Sequence, residues 1–448
     1  MRLSPAAASL AVLAAGLAAL PATSPAQAES KRPPTCLGQD ATIVGKGHVR
    51  GTRGRDVIVA TAPTTVAALG GDDLICVVGT GTTKQTKVRV GAGEGDDRVV
   101  DRVRSPHKTD IRLAGGDDRY TASSSLVLDR VEAGPGRDVV STGRGDDQVT
   151  SGVRGRPNHD QVNLGPGDDR LFARGVGQTS SRLRGGLGRD ELDASDLGPG
   201  GQLSGGPGAW MFDNAAGTAT YEGTVLTRWG GFEEFDLPWG TGPLTFRGGP
   251  ASESIWFYNP DRASYEVLMG GGDDEVKVSD DITMSAPVDG GGGRDTILAY
   301  SYHPSSATAS LADQQLRFRV IPGVEPDPGY AESTVELRGF ENAEAFAPVA
   351  LAIGDAGPNE LQALGCGPVA RGGDGDDSLE VRVVRGEFGC FEAANSRARA
   401  YGEQGDDRLL GGPFTEILVG GPGLDRADGR ERNDICDAER EVRCERNP

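Results

Sequence analysis

Fourteen aspartates recur in one local setting, and that setting suits a hard cation. They are Asp56, Asp73, Asp97, Asp118, Asp138, Asp147, Asp169, Asp190, Asp274, Asp295, Asp377, Asp407, Asp425 and Asp434. Glycine stands two residues before 13 of the 14, the exception being Arg432 before Asp434. Glycine also stands four residues before nine of them. Glycine-rich turns present backbone carbonyls without side-chain interference, and the aspartate adds charge. Calcium takes six to eight such oxygens. Magnesium prefers a tighter octahedron and keeps its waters, so carbonyl turns suit it less. Zinc would ask for Cys or His, and His48, His107, His159 and His303 fall in no ligand-spaced group. Eight anchors directly follow another Asp, such as Asp72, Asp96 and Asp117. Successive extended residues point opposite ways, so the first Asp of each pair should face solvent.

The spacing of these residues defines the elements that hold them. Anchors lie 17, 24, 21 and 20 residues apart from Asp56 to Asp138, then 9, 22 and 21 apart to Asp190. Asp274 to Asp295 is 21, Asp407 to Asp425 is 18, and Asp425 to Asp434 is 9. Two residues after each anchor stands Ile58, Ile75, Val99, Tyr120, Val140, Val149, Leu171, Leu192, Val276, Ile297, Leu379 or Leu409, then the weaker Ala427 and Cys436. The first 12 suit a pleated, half-buried strand. Each strand is too short to bury a core alone, but parallel stacking gives one thin continuous core. The expected fold is therefore all-β, a right-handed parallel β-roll or β-helix solenoid of Gly/Asp-rich nonapeptide-type repeats. It should run from about residue 40 to 435.

The segments Gly91–Val99, Gly165–Leu171, Gly185–Leu192 and Gly372–Leu379 carry a resemblance to a known family. They are similar to the G-G-x-G-x-D-x-U-x nonapeptide of RTX, or haemolysin-type, calcium-binding β-rolls. The resemblance implies calcium held between stacked turns by turn carbonyls and the sixth-position Asp. It places that role on the 14 anchors. It covers residues 45–200, 265–300 and 370–435. Within the stretches 200–265 and 300–365, Arg228–Phe235 and Leu337–Glu344 echo each other and look like the Gly-Phe-Glu-Asn turns that interrupt RTX-like solenoids. Secreted actinobacterial RTX-like proteins, with a cleaved leader and paired terminal Cys, are the nearest type. The chain departs from the pattern in keeping one good nonapeptide per 20-odd residues. One edge of the solenoid is therefore expected to carry the calcium ladder and the other to be a variable loop edge. Thr52, Leu69, Ala114, Glu403 and Arg430 replace the early glycine, which weakens the sites at those turns.

Composition narrows the partners. The 448 residues carry 46 Lys+Arg against 66 Asp+Glu, a net −20. Phosphate binding needs clustered bases, so nucleic acid is disfavoured, and a basic membrane-surface attachment likewise. Residues 1–28 read as a signal peptide: Arg2, an apolar run Ala6–Leu20, and Ala26-Gln27-Ala28 at the cleavage site. That run is too short for a transmembrane helix. Removing the leader removes Arg2, so −20 − 1 gives −21. Roughly eight ions, about +16, would offset most of it. The expected organisation is an N-terminal RTX-like section (29–200), a degenerate aromatic-containing solenoid section (201–365) and a C-terminal RTX-like section (366–448) with a stapled end. Six Cys in an exported chain read as three disulfides. Fifteen connectivities are open; sequential pairing gives Cys36–Cys76, Cys366–Cys390 and Cys436–Cys444.

Catalytic motifs are lacking. There is no GxSxG elbow, HExxH or P-loop, and Asp pairs recur so evenly that none is singled out for acid–base chemistry. Arg144-Gly145-Asp146 falls inside a repeat turn, where the pattern alone produces it. Trp210, Trp229, Trp239 and Trp256 cluster with Phe212, Tyr221, Phe232, Phe235, Phe246, Phe257 and Tyr258. They read as a thicker core, with a sugar or partner surface as the alternative. The function expected is a secreted, non-enzymatic calcium-binding repeat protein, with folding coupled to calcium and a structural or surface-binding role. An extracellular β-helix enzyme acting on polysaccharide, or a cell-surface adhesin, is the alternative. Convergent Asp, Arg and aromatic residues in a groove would favour the enzyme.

Overall fold

A computed structural model describes residues 32–79, 86–104, 107–122, 128–177, 182–198, 206–238, 240–257, 263–301, 303, 305–324, 332–384, 397–431 and 434–445. The leader, Cys390, Trp239 and Tyr258 lie outside these residues. Among the described residues there is no helix, and the strands form a β-solenoid of about 16 turns, mostly parallel.

Each coil gives one strand to each of two stacks. In the first stack, inward residues fall in register as Ile43, Ile58, Ile75, Val99, Tyr120, Val140, Val162, Leu183 and Trp229. In the second they run Val66, Val90, Ile111, Val131, Val149, Leu171, Leu192, Phe235 and Ile255. The second column continues through Val276, Ile297, Ala343, Leu361, Leu379, Leu409 and Ala427. Every residue two after an anchor is buried. Neighbouring coils thus bury what a lone coil cannot, at roughly 25 cal/mol per Å² of apolar surface.

The regular winding is interrupted twice. Trp210–Asp213, Thr218–Tyr221 and Thr224–Gly230 form one antiparallel excursion. Ser305–Ser310, Gln315–Val320 and Ser333–Arg338 form the other. Both re-enter the solenoid through the echoed turns. Phe232 and Phe340 are buried there. The Asp190 carbonyl accepts from the Glu233 and Glu234 amides, and the Asp295 carbonyl from those of Glu341 and Asn342. The two echoes are thus one device used twice.

The middle is a thicker core, as its composition suggested. Trp210, Phe212, Trp229, Phe235 and Phe246 are buried and their rings follow one another at centroid distances of 5.4–6.1 Å. Trp256 differs, being half-buried on the outer face of the second stack. Both ends are stapled. Cys36 pairs with Cys76, pinning the short strands Thr35–Cys36 and Gln39–Asp40 over the first coils. Cys436 pairs with Cys444 in the last coil. Cys366 is disulfide-bonded; its expected partner Cys390 lies outside the described residues. Such bonds form in oxidising compartments. Among the described residues no helix is long and apolar enough to cross a membrane.

Candidate metal centre: two acidic ladders

All 14 anchor aspartates are buried. They sit where a turn feeds a strand, one residue before it, and they connect from coil to coil. The backbone N–H of each except Asp434 donates to a carboxylate oxygen of the equivalent residue in the next coil, Oδ1 where that residue is Asp and Oε2 where it is Glu. The series Asp56, Asp73, Asp97, Asp118, Asp138 is joined in this way at 2.7–2.9 Å. The first Asp of each pair is exposed, as its alternation requires. It builds an outer row of its own, for example Asp117 N–H to Asp96 Oδ1 at 2.8 Å.

The expectation of one ladder edge is corrected. There are two ladders, on opposite edges. The first occupies turns that lead from the second stack into the first, and runs Asp56, Asp73, Asp97, Asp118, Asp138, Asp160. The second occupies turns that lead from the first stack into the second. It runs Asp129, Asp147, Asp169, Asp190, Glu233, then Glu253, Asp274, Asp295, Glu341, then Asn359, Asp377, Asp407, Asp425, Glu439. Glu416 and Asp434 form a last rung pair back on the first edge. The spacing of 9 from Asp138 to Asp147, and again from Asp425 to Asp434, is a half-coil. It carries the motif from one edge to the other.

Eight rungs were missed by the sequence reading: Asp129, Asp160, Glu233, Glu253, Glu341, Asn359, Glu416 and Glu439. Three of them had a usable signal. Glu253, Asn359 and Glu416 each have Gly five residues before (Gly248, Gly354, Gly411) and an apolar residue two after (Ile255, Leu361, Leu418). Only the sixth position differs from Asp.

At the turns lacking the early glycine the backbone conformation is kept. All nine glycines four before an anchor have positive φ, for instance Gly93 at 119° and Gly373 at 104°. Leu69, Ala114, Glu403 and Arg430 take the same left-handed conformation, with φ of 87°, 77°, 74° and 65°. Their rungs Asp73, Asp118, Asp407 and Asp434 keep the ladder geometry. The tertiary ladder overrides the local steric penalty. Thr52 has no positive φ among those recorded, and its amide instead donates to Asp56 Oδ2 at 2.6 Å.

The second carboxylate oxygen is the informative atom. At Asp73, Asp97, Asp118, Asp138, Asp147, Asp169, Asp190, Asp274, Asp295, Asp377, Asp407, Asp425 and Asp434, Oδ2 is buried with no hydrogen-bond partner. Buried polar atoms are normally paired, and a charge left so costs more than a neutral group. Burial accordingly pushes Asp407 up to about 6, Asp97 and Asp377 to about 7, and Asp138 and Asp147 to about 8. Facing carboxylates add to the effect: Asp160 for Asp138, Asp129 for Asp147.

Several of these oxygens sit in cradles that a methyl group would fill. A Cβ on Gly402 would overlap Asp407 Oδ2 and the Gly420 carbonyl oxygen. One on Gly372 would overlap Asp377 Oδ2 and the Gly402 carbonyl. Carboxylate and carbonyl oxygens thus converge on glycine-lined corners, a donor set that fits a hard, oxygen-seeking cation. The histidines lie elsewhere: His107 contacts Asp101 Oδ2 at 2.6 Å, and His303 contacts Asp280 at 3.0 Å.

Among the described residues, one acidic cluster lies off the ladders. Glu191, Asp193 and Asp236 converge on the outer face of the second stack. Arg170 Nη2 already reaches all three, at 2.9, 3.2 and 3.4 Å. A guanidinium fills the place a cation would take.

Against known proteins, no family model and no curated protein matches this chain. Among solved structures, a hyperactive, Ca2+-dependent, β-helical antifreeze protein from an Antarctic bacterium matches at 14% identity, covering 88% of this chain and 83% of that one, with a TM-score of 0.15. At that score the likeness carries no argument about this chain.

Proposed function

We propose that this is a secreted calcium-binding solenoid of the RTX-like kind, non-catalytic, whose folding is coupled to calcium and whose ordered faces serve a structural or surface-binding role. One observation carries the reading: rung after rung holds a buried carboxylate oxygen with no partner. The residues that would hold the ions are the anchors, with the glycine carbonyls of adjacent turns. A bound cation supplies the counter-charge that the buried carboxylates lack. The chain does the rest: amide-to-Oδ1 bonds fix each carboxylate, and buried apolar columns fix the turn spacing. Without the ion, ionised rungs repel and the array loosens, so ion binding and folding share one equilibrium.

Far-UV circular dichroism of residues 29–448, with oxidised cysteines, tests this. In EDTA the β signal should be weak. Added calcium should restore it, and magnesium at the same concentration should not. A spectrum indifferent to calcium would overturn the reading.

A second reading, chemistry on a polysaccharide, has one observation in its favour. A cleft of about 590 Å3 on the second stack is lined by Arg170, Glu191, Asp236, Trp256 and Lys277. Its carboxylates are already engaged by Arg170, which ranks this reading second. Release of reducing ends from acidic or neutral glycans, abolished by Asp236→Asn, would promote it.

A further inference from the structure

On the first stack, a different cleft of about 490 Å3 is lined by Asn163, Arg182, Arg184 and Arg228, by parts of Leu183 and Trp229, and by the backbone of Gly186, Gly230 and Gly231. It arises where the first excursion returns. Strand Arg182–Leu187 pairs with Thr224–Gly230, with Leu183 opposite Trp229 and Arg184 opposite Gly230. One residue earlier on each strand, Arg182 and Arg228 lie side by side, both exposed. On the other neighbour, Arg184 lies opposite Asn163.

Among the described residues, no acidic side chain lines this cleft. Among the described residues, none of the three arginines forms an ion pair. That is unexpected in a chain with 66 acidic residues against 46 basic ones. Like charges directly across adjacent strands are destabilising, and acidic partners are plentiful. Packing does not explain the arrangement, because Leu183 and Trp229 point inward and are buried while the arginines point out.

We propose that this cleft binds an acidic saccharide unit, its carboxylate or sulfate held between Arg182 and Arg228. Guanidinium groups bind such oxyanions through paired, charge-assisted hydrogen bonds. Arg184 sits diagonally across, where a second oxyanion or ring oxygen would fall. The Asn163 amide and the glycine backbone offer neutral donors and acceptors suited to hydroxyls. Exposed Asp rows such as Asp146 and Asp168 flank the stack. They would repel a long polyanion and leave room for a short one.

The test uses the full mature chain at fixed calcium and fixed ionic strength. Titration calorimetry compares a trimeric uronate, a sulfated disaccharide, a neutral disaccharide and a short single-stranded oligonucleotide. The wild type should bind the uronate or the sulfated sugar, with neither of the other two binding. The two arms separate carboxylate from sulfate as the group recognised. Arg182→Gln with Arg228→Gln should weaken that binding by about tenfold or more. The same double variant should raise the thermal midpoint of the unliganded protein, because it removes the facing charges. Calcium titration of the variant should be unchanged, which separates this site from the ladders. Absence of binding to either acidic sugar, equal binding by the variant, preference for the oligonucleotide, or a lowered midpoint would each overturn the proposal.

Discussion

The turns of the N-terminal coils and those of the C-terminal coils hold their aspartates in the same way but surround them differently. In both, Oδ1 accepts an amide from the coil before and Oδ2 is left buried without a partner. The contrast is five residues upstream. Before Asp73, Asp97, Asp118, Asp138 and Asp169 stand Ala68, Ala92, Leu113, Ala133 and Leu164, all buried in the core. Before Asp295, Asp377, Asp407, Asp425 and Asp434 stand Gly290, Gly372, Gly402, Gly420 and Gly429. At Asp295, Asp377 and Asp407 the carboxylate oxygen closes against that glycine's backbone and the carbonyl of Gly339, Gly402 or Gly420 in an adjacent coil. In the five N-terminal turns named, an apolar side chain takes that upstream position, whereas Gly51 before Asp56 and Gly185 before Asp190 keep the glycine, and the later Asp274 has Met269 there. The ladder itself therefore needs only an oxygen that accepts an amide. An all-oxygen cradle needs the extra glycine. The glycine-lined turns, most of them C-terminal, should be the better cation sites, and the turns with an apolar residue there the more ready to take protons instead.

The largest expected effect tests that division directly. In hydrogen exchange across a calcium titration, turns 372–377 and 402–407 should gain protection at roughly tenfold lower calcium than turns 92–97 and 113–118. Simultaneous protection of all turns would mean that the upstream residue is irrelevant. Protection of the N-terminal turns first would reverse the comparison.

Acidity comes next in size. The rung carboxyls titrate higher in the folded chain than at the ordinary value of 3.8, at about 7 for Asp97 and Asp118 and about 8 for Asp138 and Asp147. A raised folded pKa stabilises below the unfolded pKa, and that stability fades as pH rises through the folded one. In EDTA, where the array is loose at pH 8, lowering the pH to 5 should therefore restore part of the folded signal and bring back a melting transition that rises as the pH falls. In saturating calcium the sign should reverse, because protons then compete with the ion. Residues 129–160, where both edges carry rungs, should respond most. Scanning calorimetry at each pH with and without calcium reads both slopes. Equal slopes would show that protons and cations do not share the rungs.

A single methyl group sharpens the contrast further. Gly402→Ala puts a Cβ onto Asp407 Oδ2 and the Gly420 carbonyl, and should cost about 2 kcal/mol. Gly292→Ala is the control, since nothing lies within 4 Å of a Cβ there and its φ is not positive. Denaturant unfolding in calcium compares the two. An equal cost at both positions would mean that glycine serves chain flexibility and not the cradle.

The sequence made legible what is fixed by sterics and burial. Ile75, Val99 and Leu379 had to point inward for the strands to stack, and they do. The paired aspartates split into buried and exposed members by alternation alone. The rungs carrying Glu or Asn were hidden because Asp is not the invariant of the turn. Glu253, Asn359 and Glu416 meet the same requirement with a different oxygen, and Asn359 also donates its amide to the Glu341 carbonyl at 2.8 Å. The two edges were hidden for another reason. A half-coil step and a full-coil step contain the same motif and differ only in spacing, and the two steps of 9 gave no local sign that the edge had changed. Glu233 and Glu341 were visible as echoes, but their role needed the register of Asp190 and Asp295 across an excursion.

The smallest effect concerns the turns that lack the early glycine. Ala114 holds φ at 77° in a conformation that costs an L-residue about 1–2 kcal/mol. Replacing it by glycine removes that cost but frees the unfolded chain, which returns about 0.4–1 kcal/mol. Ala114→Gly should therefore stabilise by about 0.8 kcal/mol, the difference of the midpoints of those two ranges. The same substitution at Ala92 should destabilise, because Ala92 is fully buried and its φ is not among the positive ones. The pair distinguishes two glycine requirements that the repeat pattern merges. The position four before the rung needs glycine for backbone conformation and tolerates its loss. The position five before needs it for the cradle, and only in the coils that close their oxygens on it. If both substitutions stabilise, the upstream alanine is not a packing residue, and the N-terminal turns differ from the C-terminal ones in sequence but not in function.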